Sequence, residues 1–138
     1  MEKICSHELV SQVITGDPVR PHINAETRLA PARDIFHLDH KAYICLVYMD
    51  RVPPDEDCLL NANCGPVAVA YTVWSLEKGM GRKIILDLQA MIRETYRFKR
   101  LVTLSPKTEM ATKFHLSNGA KLIAENMTTN NFEYDIEW

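Results

Sequence analysis

The stretch Leu76-Glu77-Lys78-Gly79-Met80-Gly81-Arg82-Lys83 lies at a predicted strand-to-helix turn and constrains the fold more than any other part of the chain. Residues 66–74 carry the β-branched and aromatic side chains of a buried strand. Apolar residues then recur at helical spacing over residues 81–96. Two glycines one residue apart let the backbone curl with its N–H groups outward, and a helix N-terminus adds partial positive charge. The pattern predicts a site for a phosphate-bearing ligand.

The glycine spacing alone also fits an ordinary tight turn before a core helix, so that alternative stays open. Two well-known phosphate loops fit poorly. A P-loop needs Lys-Ser or Lys-Thr after its last glycine, whereas Gly81 is followed by Arg82 and Lys83. A dinucleotide-binding turn needs a third glycine where Ile84 stands.

The composition is that of one soluble globular domain. We expect a single domain over residues 1–138, with a helix and loop region at 1–33 and the core at 34–138. The net charge of −2 provides no general attraction to nucleic acid or to anionic membranes. No apolar run reaches the roughly 18 residues of a membrane span, and no signal-peptide pattern is present. The sequence therefore predicts a cytoplasmic protein without a nucleic-acid or membrane partner.

The cysteines indicate a reduced environment and no metal site. The four cysteines, which form no Cys-x-x-Cys pair, are Cys5, Cys45, Cys58 and Cys64. A disulfide or metal pair between Cys58 and Cys64 is a weaker alternative. The segment His37-Leu38-Asp39-His40 lacks a third ligand at a telling spacing, so it favours a polar turn over a metal site.

The pattern of elements predicts an α/β fold with a mixed sheet. The predicted elements are a helix within 3–14, a hairpin of strands at 34–38 and 42–48, a short helical turn at 57–60, a strand at 67–74, a helix at 81–96, a strand at 99–104, a helix at 107–116 and a closing hairpin of strands at 120–125 and 131–137. Ser105 is the predicted N-cap of the last helix, with Pro106 as its first residue. The strand–helix–strand unit in the middle predicts two parallel, adjacent strands.

In the order of these predicted strands and helices, the chain resembles the GNAT superfamily of N-acyltransferases, which use acetyl-CoA or a related acyl-CoA. The family motif Gln/Arg-x-x-Gly-x-Gly/Ala matches at Gly79 and Gly81 but not at Leu76. A second family pattern, Ala-x-x-x-Tyr-x-x-x-Gly, matches at Ala111 and Gly119, and His115 stands where the family often has tyrosine. The resemblance covers residues 34–136 and implies a central mixed sheet with helices on both faces.

The resemblance also implies where acetyl-CoA binds. In the family, two parallel strands splay apart and the pantetheine arm pairs with the freed backbone. That implies Tyr71, Thr72 and Val73 on one strand and Leu104 or Ser105 on the other. The implied pyrophosphate site is formed by Lys78, Gly79, Met80, Gly81, Arg82 and Lys83. No metal is implied.

The implied chemistry is transfer of an acyl group from acyl-CoA to the primary amine of a small molecule or peptide. By resemblance, a backbone N–H near Val73 stabilises the oxyanion and His115 protonates the leaving thiolate. The alternative for His115 is a histidine that only packs in the core. No general base is apparent. Two alternatives stay open for the whole chain: a non-catalytic GNAT-fold module that binds CoA or a protein, and an enzyme using another activated donor. The short N-terminal region also allows a homodimer in which a second copy completes the acceptor groove.

Overall fold

An eight-stranded mixed sheet organises residues 1–137, the part of the chain that the computed structural model describes. The strands are β1 Glu2–Lys3, β2 Arg33–Leu38, β3 Ala42–Met49, β4 Val67–Ser75, β5 Arg100–Thr103, β6 Ser105–Pro106, β7 Lys121–Glu125 and β8 Thr129–Tyr134. Their order across the sheet is β1-β2-β3-β4-β5-β8-β6, and β7 also pairs with β8. Only β4 and β5 pair in parallel; the other pairs between described strands are antiparallel.

Helices cover both faces of the sheet. The α-helices are α1 His7–Val13, α2 Ala25–Arg28, α3 Met80–Thr95 and α4 Glu109–Ser117, and short 3-10 helices span Ile14–Gly16 and Asp57–Asn61. Side chains of β3 alternate between the two faces because successive residues of a strand point in opposite directions. Tyr43 and Cys45 pack with α1 and α2, whereas Ile44 and Leu46 pack with α3. The expected mixed sheet with helices on both faces is therefore confirmed.

The predicted strand–helix–strand crossover in the middle of the chain is confirmed. The predicted helix at 81–96 is α3, Met80–Thr95, and its apolar stripe buries Ile84, Leu88 and Ile92 completely. The strands that it connects pair in parallel from Val67 opposite Arg100 to Ala70 opposite Thr103. Both predicted hairpins and the short turn near residue 57 are also present.

Some element boundaries differ from the prediction; the closing strand expected at 131–137, for example, is β8 at Thr129–Tyr134. The N-terminus begins with the two-residue strand β1, so helix α1 starts only after Ser6, whose side chain accepts from the Leu9 N–H. Ser105 and Pro106 form strand β6 instead of a helix start. The true N-cap of α4 is Thr108, because its hydroxyl accepts from the Ala111 N–H.

Several chemical features of residues 1–137 complete the description. All four cysteines are free thiols. None of the described helices is both long enough and apolar enough to cross a bilayer. No group of three metal-ligating side chains converges within the described residues. The stacked rings of His37 and His40, 3.8 Å apart, belong to the polar turn between β2 and β3. Trp138, which follows the predicted closing strand, lies outside the described residues.

Candidate functional site

The parallel pairing of β4 and β5 stops halfway along β4. Its last bond runs from the Leu104 N–H to the Ala70 carbonyl, 3.1 Å away. Beyond that point, Tyr71–Ser75 has no strand partner on the β5 side within residues 1–137. Freed backbone groups of this kind can pair with an extended, amide-containing ligand. The structure therefore places the predicted residues Tyr71, Thr72 and Val73 along an interrupted strand pair.

A β-bulge in β4 accompanies the interruption. Cys45 lies opposite Thr72 and Leu46 lies opposite Ala70, so Tyr71 is the extra residue. The side-chain alternation shifts by one residue there, because both Tyr71 and Trp74 face α1 and α2. A bulge bends its strand and increases its twist, so it turns the end of β4 away from β5.

On the other side, β5 pairs with both β4 and β8, but its continuation β6 pairs with β8 alone. Ser105 pairs with Asn130 and Pro106 pairs with Thr129. Pro106 has no N–H to donate, so the parallel ladder cannot continue through it. The Asn131 amide nitrogen donates to the carbonyls of Thr103 and Pro53, at 2.8 and 2.9 Å. The predicted residues Leu104 and Ser105 thus lie where β5 turns away, and both are buried.

The glycine turn lies directly after the free end of β4, at the start of α3. Gly79 is the N-cap residue, with φ of +86°, and a side chain there would meet open space. No side chain of the described residues caps this helix. Within residues 1–137, the N–H groups of Gly81 and Arg82 have no acceptor outside their own helix. Unsatisfied N–H groups at a helix N-terminus favour an anion.

One of the cationic side chains around this turn, Arg82, already has a hydrogen-bond partner. The predicted residues Lys78, Arg82 and Lys83 are exposed, whereas Met80 and Gly81 are buried. The Arg82 guanidinium donates to the Asn118 side-chain oxygen at 3.0 Å, which ties α3 to the end of α4. A side chain on Gly81 would come within 3.3 Å of the Phe114 ring. Gly81 therefore allows close packing between α3 and α4.

A buried charged network joins the N-terminal region to the bulge in β4. Asp17 and Arg28 form an ion pair at 2.9 Å, and both side chains are fully buried. Asp17 also accepts from the Thr72 hydroxyl at 3.0 Å. Arg20 donates to the Tyr71 carbonyl. One backbone acceptor of the predicted pantetheine strand is therefore already taken by a side chain of this chain.

A small cavity of about 110 Å³ opens beside Tyr71 on this face. Its rim includes Glu56, which accepts from Arg20 at 2.9 Å and contacts a ring nitrogen of His22 at 2.6 Å. Burial holds the pKa of Tyr71 well above its usual value. Its hydroxyl lies by the Cys45 thiol, a weak partner, and bonds to no oxygen or nitrogen atom among residues 1–137. Tyr71 is therefore a neutral wall of the cavity.

His115 is buried between α4 and β8. Its Nδ1 lies 2.7 Å from the Tyr134 hydroxyl, and its ring stacks on Phe132 at 5.1 Å. Burial lowers the pKa of His115 to about 4, so the imidazole is uncharged at neutral pH. Protonation of a thiolate would then have to use the neutral ring, and the general-acid role of His115 stays a prediction.

The pattern of the sequence did not indicate the network of Asp17, Arg20 and Arg28. These residues fall in a segment rich in proline and charge, which is typical of an exposed loop. No spacing rule separates a buried charge from a solvated one when its partners come from distant strands. The hydrogen bonds from Asn131 to the carbonyls of Thr103 and Pro53 were also missed, because they join residues far apart in the sequence.

Sequence comparison does not assign the chain to a family, because neither a protein-family model nor a curated protein matches it. Similarity in structure extends over the whole fold. A Desulfovibrio desulfuricans structure assigned to the GNAT family of acetyltransferases is similar over 99% of this chain and 98% of its own, with a TM-score of 0.66 and 11% identity. Tetrahymena GCN5 is similar over 96% and 86%, with a TM-score of 0.57 and 9% identity. The chain therefore has the GNAT fold.

Proposed function

We propose that the protein is an acyl-CoA-dependent N-acyltransferase that moves an acetyl group from acetyl-CoA to a primary amine. The observation that carries this proposal is the continuity of two features: the unpaired edge of Tyr71–Ser75 leads directly to the open N-terminus of α3. The first suits the amide-rich pantetheine arm and the second suits the pyrophosphate. An acyl-CoA thioester bound in this way would have its acyl group near Tyr71 and Val73.

The transfer itself is a direct attack. The neutral amine nitrogen adds to the thioester carbonyl, the carbon–sulfur bond breaks, and the amine loses one proton while the CoA thiolate gains one. A backbone N–H near Val73 stabilises the oxyanion in this scheme. The acceptor approaches from the cavity beside Tyr71, whose rim includes Glu56 and Asp57. The proposed acceptor is the amine of a small molecule or of a peptide.

The direct test is amine-dependent release of the CoA thiol. Purified protein is mixed with acetyl-CoA and, in turn, a small diamine, an amino acid and a peptide with a free N-terminus. We expect thiol release above the hydrolysis background with at least one acceptor. Absence of release with every acceptor, despite acetyl-CoA binding, would exclude catalysis with these acceptor classes.

His115 is the proposed proton donor to the thiolate, and its role has a matched control. His115→Gln removes the imidazole, whereas Tyr134→Phe removes the same hydrogen bond and leaves the imidazole in place. If His115 acts in transfer, His115→Gln lowers kcat by about 100-fold or more while acetyl-CoA affinity stays unchanged. Tyr134→Phe then has a much smaller effect. Equal effects of the two variants would assign His115 a packing role.

The second candidate is a non-catalytic module that binds CoA. The buried, uncharged state of His115 favours it, because the position where the family often has tyrosine then carries no ready proton donor. Acetyl-CoA binding without thiol release would support this module, and amine-dependent release would exclude it.

A further inference from the structure

A cavity of about 390 Å³ lies at the end of the sheet opposite to the glycine turn. It is formed where β1, the start of β2 and the end of β3 meet the loop between α3 and β5. Tyr48 in its wall is opposite Ala68, near the start of β4, whereas α3 begins after the end of β4. The cavity is therefore separate from the proposed acyl-CoA site.

Three cationic side chains and one carboxylate line this cavity: Lys3, Arg33, Arg97 and Asp34. The carboxylate is already satisfied, because Asp34 accepts from Lys3 at 3.0 Å and from the Tyr48 hydroxyl at 2.5 Å. Two guanidinium groups remain without a carboxylate partner in residues 1–137. The lining therefore has an excess of two positive charges in a protein whose net charge is −2.

The two arginines are held in place by neutral groups. Arg33 donates to the carbonyls of Pro31 and Leu59, at 3.1 and 2.7 Å. The Arg97 guanidinium lies over the rings of Tyr48 and Phe98, 5.1 and 4.9 Å from their centroids. Stacking of this kind leaves the N–H groups at the guanidinium edge available to a ligand. Fixed, charged donors suit an anion because little freedom is lost when it binds.

The backbone of the cavity wall is also unusual. Ala32 and Cys64 both have the left-handed conformation, with φ of +63° and +58°, and both line the cavity. Tyr96, which precedes Arg97, has φ of +55°. Residues other than glycine rarely adopt this conformation, and such residues cluster at ligand sites. Within residues 1–137, the N–H groups of Ala32 and Cys64 have no acceptor, so they add neutral donors to the wall.

We infer that this cavity is a binding site for a small ligand that carries a dianionic phosphate group. The excess of two positive charges matches that group, and the arginine edges and free N–H groups supply its donors. The ligand is either free phosphate or a phosphate monoester, whose body would lie against the apolar side chains of Ile4 and Leu29. The inference does not depend on acyl transfer.

The test is a titration of the isotope-labelled full chain by NMR, at constant ionic strength and without CoA. The probes are inorganic phosphate and phenyl phosphate. We expect saturable shifts of backbone amides in residues 3–5, 32–34, 64 and 97–98. If phenyl phosphate binds more tightly than inorganic phosphate, the ligand is a phosphate monoester. If the two bind equally, the ligand is free phosphate. Shifts that do not saturate, or that occur only at residues 79–83, would overturn the inference.

The matched variants are Arg97→Ala and Lys99→Ala. Both remove one exposed cation from the same loop, but only Arg97 lines the cavity. Arg97→Ala should weaken phosphate binding about tenfold, which corresponds to one charge-assisted hydrogen bond. Lys99→Ala should leave it within about twofold. Equal weakening by both variants would show a general charge effect and would overturn the site, and unchanged binding in Arg97→Ala would do so as well. Unchanged amide spectra away from the loop confirm that each variant is folded.

Discussion

Asp17 is the residue on which the N-terminal region depends most strongly. Its carboxylate accepts four hydrogen bonds, from the backbone N–H groups of Val19 and Arg20, from the Thr72 hydroxyl and from Arg28. Burial by itself would raise the pKa of Asp17, but these donors outweigh burial and lower it. The carboxylate is therefore ionised at neutral pH and fixes the loop after α1 against the bulge in β4.

Removing either charge of the buried pair should destabilise the protein strongly. Asp17→Ala or Arg28→Ala leaves the partner charge buried without compensation, which costs about 3–5 kcal/mol of unfolding free energy. The double variant should cost less than the sum of the two single variants. Urea unfolding measures all three. Arg51→Ala, which removes an exposed ion pair to Asp50, is the control and should cost less than about 1 kcal/mol. Additive costs for Asp17 and Arg28 would contradict the coupling.

His115 should make stability depend on pH in a defined window. Its pKa in the folded protein is about 4, against 6.5 for an unperturbed histidine. As pH falls below 6.5, the unfolded chain takes up the proton first, so stability is lost until pH reaches about 4. Relative to His115→Gln, the wild-type protein should lose roughly 3 kcal/mol over that window. Urea unfolding at several pH values tests this. His7→Gln on the exposed start of α1 is the control, and parallel curves for wild type and His115→Gln would contradict the burial.

At the scale of elements, the course of β5 and β6 determines whether β4 has a free edge. The strand breaks at Leu104: β5 pairs with both β4 and β8, whereas β6 pairs with β8 alone. Asn131 fixes this break, because its amide bonds both to Thr103 and to Pro53 in the loop between β3 and β4. That loop carries Glu56, at the rim of the proposed acceptor cavity. One buried amide therefore links the interrupted strand pair to the acceptor side.

Asn131→Ala should loosen this link. The carbonyls of Pro53 and Thr103 lose their donor, and leaving buried polar groups unpaired costs about 1–3 kcal/mol each. We expect a fall of about 2–4 kcal/mol in unfolding free energy and faster hydrogen exchange in residues 54–62 than in α3. Asn61→Ala, at an exposed position of the same loop, should change neither. An Asn131→Ala variant as stable as wild type would show that the amide does not hold the loop.

The crossover and the hairpins could be predicted because periodicity and turn residues are local signals. Helix α3 buries Ile84, Leu88 and Ile92 of its predicted apolar stripe and partly buries Met91, and its boundaries agree within one residue. Strand β1 could not be predicted, since two residues carry no periodicity and its pairing with β2 is a long-range contact. The predicted helix start at Ser105 was wrong because strand pairing with β8 overrides local capping preference. The glycine turn could be predicted because its residues are adjacent in the sequence. The charged network of Asp17 and Arg28 could not, because it depends on tertiary contacts with β4.

At the scale of the whole molecule, the two ends of the parallel strands carry different features. The end at which β4 is unpaired meets the open N-terminus of α3, and the opposite end holds the cation-lined cavity. Because the protein has a net charge of only −2, neither end attracts anions through a general positive field. The proposed binding of acetyl-CoA would therefore depend on the local geometry at Gly79–Lys83.

The most direct test of the account is calorimetric titration with acetyl-CoA of the wild type, Gly79→Ala and Gly79→Asp. Both substitutions place a Cβ in the left-handed conformation at an open position, but only aspartate places a negative charge at the helix N-terminus. The account predicts that wild type and Gly79→Ala bind acetyl-CoA with affinities within a few-fold, and that Gly79→Asp binds at least about tenfold more weakly. No binding by the folded wild-type protein, or equal binding by the alanine and aspartate variants, would contradict the proposed acyl-CoA site.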